Sequence, residues 1–78
     1  MDTVIDILES LKPGIDYAHA TDLVTSRVLD SLTIIALVGE LEDEYDISIP
    51  AVEIVVSNFN SAAAIYALVE RLASEETL

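Results

Sequence analysis

The sequence predicts an all-α fold, a small bundle of three main helices plus one short helix around a single core. Three observations carry that prediction. Apolar residues recur at helical spacing in three separate stretches, beginning near Asp2, Ser31 and Ser61. Capping or breaking residues bound those stretches. The chain is 78 residues long and 53% apolar, so it has the material for one small core, and a single domain is expected over residues 1–78. With one Phe, three Tyr and no Trp, that core is expected to be held by aliphatic packing.

Each element follows from its local residues. Between Asp2 and Leu11, Val4, Leu8 and Leu11 form a stripe that Ile5 and Ile7 widen, and Asp2 and Asp6 sit where the positive end of the helix dipole favours them. Lys12-Pro13-Gly14 stops that helix, because proline disfavours helical geometry in the residue before it and glycine permits a turn. Ile15 to Leu29 has no sustained period but carries Ile15, Leu23, Val24, Val28 and Leu29, which reads as a long connection pinned down by apolar contacts. Asp30-Ser31 then starts a second helix, since an Asp or Ser oxygen accepts a bond from an unpaired amide of the first turn. This helix is expected to reach Tyr45, about 22 Å of axis.

Ile47 and Ile49 alternate with Asp46 and Ser48, and Pro50 discourages any continuation. Ala51 to Phe59 is expected to hold only a short helical turn. Asn60 or Ser61 caps a last helix through Leu72 or Ala73, with Ile65, Leu68, Val69 and Leu72 facing inward.

Fifteen acids against three basic residues give a net charge of −12. Such a chain repels nucleic-acid phosphates and anionic lipid surfaces, so neither a nucleic-acid partner nor membrane insertion is expected, and basic partners are favoured. No Lys or Arg occurs between Arg27 and Arg71. There is no cysteine, a single histidine at His19, no glycine-rich phosphate loop and no Asp-x-Asp-x-Asp-Gly pattern. Catalytic residues and metal ligands are therefore not assigned, and no enzyme is expected. A cysteine-free chain without a leader-like N-terminus or an apolar run of about 18 residues reads as a soluble cytoplasmic protein, expected to be a monomer.

The second helix has two faces. At 100° per residue from Ser31, the residues Ile34, Leu37, Val38, Leu41 and Tyr45 fall between about 240° and 340° and form the core stripe. Leu32, Ile35, Ala36 and Gly39 fall between about 40° and 140°, on the same side as Glu42 and Asp43. Leu32 either packs on the long connection or stands exposed; Ile35 is expected to be partly exposed. An apolar strip edged by acids suits a transient partner, charge steering the encounter and aliphatic contacts deciding fit. The acids are placed against helix stability: Glu42, Asp43 and Glu44 lie at the negative end of the dipole, and Glu40/Glu44 and Glu42/Asp46 are like-charge pairs, each feature costing about 0.3–1 kcal/mol. A solvated face kept for solubility is the alternative.

On helix physics alone Ser31 is an N-cap. A hydroxyl there also stands beside amide donors and a positive dipole end, where an attached phosphate is stabilised. Asp30-Ser31-Leu32, followed by Leu37-Val38, Leu41-Glu42, Tyr45-Asp46-Ile47 and Ile49-Pro50, resembles the acyl carrier protein family. The resemblance implies an acyl carrier protein-like bundle in which Ser31 bears a phosphopantetheine arm, added from coenzyme A by a phosphopantetheinyl transferase, with Asp30 and Leu32 beside it in the motif. It implies that the arm carries acyl groups as thioesters in fatty acid, polyketide or related biosynthesis, between loading and transfer enzymes with basic docking patches. Leu32, Ile35, Ala36, Gly39, Glu42 and Asp43 are then the expected partner-binding residues. Many fatty-acid carriers have Gly-x-Asp-Ser-Leu, whereas Val28 and Leu29 precede Asp30 here and Arg27 stands where a related motif has glycine. D-alanyl or other amino-acyl carriers are therefore an alternative, and an unmodified acidic interaction module is a further one.

Overall fold

Residues 2–76, the part of the chain that the computed structural model describes, contain four α-helices and one 3-10 turn, with no strand among them. Met1, Thr77 and Leu78, at the ends of the span expected to form one domain, lie outside the described residues. α1 (Asp2–Leu11) buries Val4 and Leu8, two residues of the expected stripe, one turn apart. Lys12 adds one more helical bond to the Leu8 carbonyl before Gly14, at φ 91°, turns the chain in a conformation that a side chain would resist. α2 (Ser31–Tyr45), the 3-10 turn (Ala51–Glu53), α3 (Val56–Phe59) and α4 (Ala62–Glu76) follow. α1 packs on α2 and α4, α2 also meets α4, and α3 lies against α4.

Ile65, Leu68, Val69 and Leu72 of α4 are buried as the spacing predicts. The helix runs three residues beyond Ala73, to Glu76. Ser61 is its cap: the Ser61 Oγ accepts from the Ala64 amide (3.0 Å) and the Ser61 carbonyl from the Ile65 amide (3.0 Å). Asn60, the other candidate cap, does something else. Its Oδ1 accepts from the amides of Val24 (2.9 Å) and Thr25 (3.3 Å), and its carbonyl accepts from Leu23 (2.9 Å). Three polar bonds therefore anchor the long connection to the start of α4.

The connection earns its length by covering the core. Tyr17, Leu23 and Leu29 are buried, and Ile15, Ala20, Val24 and Val28 pack against them. Aliphatic packing holds the core as expected, supplying thirteen of its fifteen buried residues, although Tyr17 and Phe59 are its two largest fully buried side chains. Neither comes from a main helix. Tyr17 solves the polar problem that burial creates by donating its hydroxyl to the Lys12 carbonyl. Burial, with a smaller push from the Glu9 charge, raises its pKa above the ordinary phenol value.

Candidate functional site

The start of α2 is the chemically distinctive place. Asp30 has extended backbone (φ −83°, ψ 176°), its Oδ1 accepts from the Thr33 amide (2.8 Å), and its carbonyl accepts from Ile34 (2.9 Å). Asp30 is therefore the N-cap, and Ser31 is the first helical residue. This corrects the reading of Ser31 as the cap. Physically, a carboxylate takes the amide bond that the serine would have taken, and the Ser31 hydroxyl is left exposed, with no hydrogen-bond partner among the described residues. The Thr33 amide and hydroxyl hold the Asp30 carboxyl below the usual carboxylate range, with a smaller contribution from the Lys12 cation. Lys12, at the end of α1, thus lies within electrostatic reach of this helix start.

The rest of α2 divides into the two expected faces. Leu37 and Leu41 are buried, and Ile34, Val38 and Tyr45 pack partly buried against the core. On the other side Leu32 is 80% exposed and Ile35 66%. Ala36, Gly39 and Asp43 are exposed as well. Of the two readings of Leu32, contact with the connection fails and exposure holds. Glu42 differs from its neighbours: it is half-buried, and its Oε2 accepts from the Ile49 amide (2.8 Å). Asp46 ends α2 in the left-handed region at φ 54°, and the Ile47 amide returns to the Glu42 carbonyl (3.2 Å). One of the acids placed against the helix dipole is thus the acceptor that folds the chain back after the helix.

Sequence reasoning missed a second exposed apolar stretch. Val52, Ile54, Val55 and Val56 lie on the surface around the 3-10 turn and the start of α3. The run Ala51-Val52-Glu53-Ile54-Val55-Val56 could have signalled it, being apolar without a helical period. Glu53, within that run, is clipped to α4 by both guanidinium nitrogens of Arg71 (2.8 and 3.0 Å) and also accepts from the Asn58 side-chain amide (3.1 Å). Arg71 first, by hydrogen bonding, and then Asn58 hold the Glu53 carboxyl below its ordinary pKa. His19, the one histidine, pairs with Asp16 (2.9 Å) on the exposed connection and takes no part in the site.

The family model described as the phosphopantetheine attachment site matches residues 20–69, more than half of the chain and all of α2. The chain belongs to that family. Its domains are carriers, not catalysts, and hold phosphopantetheine covalently, in accord with the resemblance to acyl carrier proteins and with the all-helical fold. A search of the curated proteins found no match. The residues of this phosphopantetheine carrier fit a phosphodiester: an exposed hydroxyl begins a 15-residue helix, and Lys12 adds positive potential at that end.

Proposed function

We propose that the chain is a carrier protein, one domain over residues 1–78, that bears its arm on Ser31 and catalyses nothing itself. The arm supplies a terminal thiol on which acyl groups are carried as thioesters. The observation that carries this reading is an exposed hydroxyl at the head of α2, released from capping by Asp30, inside the span that matches the attachment-site family. Asp30 caps the helix start, which leaves the exposed Ser31 open to a phosphopantetheinyl transferase.

Acyl-loading and acyl-transfer enzymes are the partners in this reading. Leu32, Ile35, Ala36, Gly39 and Asp43 form the strip they meet, and the negative charge of the α2 surface favours a partner with a basic rim. Glu42 serves that surface through its charge, its carboxylate being engaged by Ile49. Fatty-acid or polyketide-type acyl groups are the first cargo, in a cytoplasmic setting. The second reading, an amino-acyl cargo of the D-alanyl kind, is favoured by Leu29-Asp30-Ser31, with Val28 in place of the glycine of Gly-x-Asp-Ser-Leu.

Incubation with coenzyme A and a promiscuous phosphopantetheinyl transferase should add the mass of one arm to the wild type and none to Ser31→Ala. A wild type that gains no mass with several such transferases, or a Ser31→Ala chain that still gains it, rules the assignment out. Loading of the modified chain by a panel of adenylating and acyl-transfer enzymes separates the two cargo classes.

A further inference from the structure

Arg27 stands four residues before Ser31 and adopts φ 66°, in the left-handed region that glycine enters freely and side chains resist. The turn around it is closed by three backbone bonds: the amides of Ser26, Arg27 and Leu29 donate to the carbonyls of Asp22 (2.7 Å), Val24 (3.0 Å) and Leu23 (2.9 Å). Leu29 is buried, and the chain leaves this turn directly into Asp30 and Ser31. A glycine would satisfy the same turn without strain, so the backbone gives no reason for an arginine.

The side chain points to one. The chain has three basic residues among fifteen acids. Arg71 is spent on Glu53, with guanidinium–carboxylate distances of 2.8 and 3.0 Å. Arg27, by contrast, is exposed, and among the described residues its guanidinium has no ion-pair or hydrogen-bond partner. Lys12 is also exposed and without an ion pair among the described residues, but it acts at this helix start from the end of α1, whereas Arg27 stands on the turn that runs directly into Ser31. Asp30, the acid three residues on, has its carboxylate turned to the Thr33 amide.

We propose that Arg27 is a positioning residue for the phosphodiester formed at Ser31, its guanidinium pairing with that anion and restraining the root of the arm. The inference rests on Ser31 being the attachment residue. Four residues span at most about 14 Å of extended chain, and a closed turn shortens that. A planar guanidinium suits phosphate oxygens because its N–H groups present a fixed fork.

The test compares apo and arm-bearing forms of the wild type, Arg27→Lys, Arg27→Gln and Arg27→Gly, with intact mass confirming one arm on each. At low salt, the difference in Tm between arm-bearing and apo forms should be more favourable in the wild type than in Arg27→Gln or Arg27→Gly by about 2–4 °C, with Arg27→Lys between. That advantage should shrink in about 0.5 M salt. The 31P resonance of the diester should also move between wild type and Arg27→Gln. Equal Tm differences and an unmoved resonance in all four chains overturn the proposal. So does a set in which Arg27→Gln is loaded more slowly but the Tm difference is unchanged, which assigns Arg27 to transferase docking instead. If the wild type takes no arm, intact mass shows that the reading of Ser31 itself has failed, and this inference falls with it.

Discussion

Asp30 and Ser31 divide two jobs that either could have done alone. The carboxylate caps the helix and the hydroxyl stays exposed, which makes the residues separable by mutation. Asp30→Ala should lower Tm by about 4–8 °C, because a first-turn amide loses its acceptor. Ser31→Ala should change Tm by no more than about 2–4 °C, as an exposed group that makes no bond does, while abolishing arm attachment. The Asp30 effect has a defined pH dependence. Its carboxyl is held below the ordinary value, so the capping stabilisation is complete above the unfolded carboxylate pKa of about 4 and is lost as the pH falls through the lower folded value. Thermal melts of wild type and Asp30→Ala from neutral to acid pH should therefore converge only at the acid end. Convergence near neutrality would contradict the capping role.

At the scale of elements, polar side chains on or beside the helices tie down the segments between them. Glu42 near the end of α2 holds Ile49, Arg71 on α4 holds Glu53, and Asn60 before α4 holds Val24 and Thr25. Each bond crosses from a helix, or from the residues just before one, to a segment between the main helices. The Asn60 contact spans 36 residues of sequence and fixes the connection that delivers Asp30 and Ser31 to the head of α2. Asn60→Ala removes one acceptor from two amides, so hydrogen exchange at Val24 and Thr25 should quicken about tenfold while amides in the middle of α4 change much less. Unaltered exchange at Val24 would mean that apolar packing of Leu23 and Leu29 suffices to hold the connection.

For the whole molecule, charge sets the terms. A net charge of −12 is carried on a body with a radius of gyration of 11.5 Å and extents of 37 × 23 × 19 Å. At an ionic strength of about 0.01 M the screening length is roughly 30 Å, longer than the two shorter dimensions, so acids on opposite sides repel one another. At about 0.15 M it falls to roughly 8 Å, and only neighbours such as Glu40 and Glu44 still interact strongly. Tm should therefore rise between these two conditions, and divalent cations should raise it further. A Tm that stays level or falls would show that the acids are not strained by one another in the folded chain.

The sequence by itself determined the three main helices, their inward residues and the motif that marks the head of α2. Those features are local: a 3.6-residue period, a cap and a breaker are all written within a few turns of chain. Tertiary structure decided which residue of the Asp30-Ser31 pair caps, that Leu32 stands clear of the connection, and that Asn60 reaches back to Val24 while Ser61 caps α4. It also buried the rings of Tyr17 and Phe59, from outside the main helices, in a core that is otherwise aliphatic as composition suggests. A hydrogen bond or a buried ring depends on what arrives from distant sequence, and in a domain this small the connections as well as the helices must supply apolar cover.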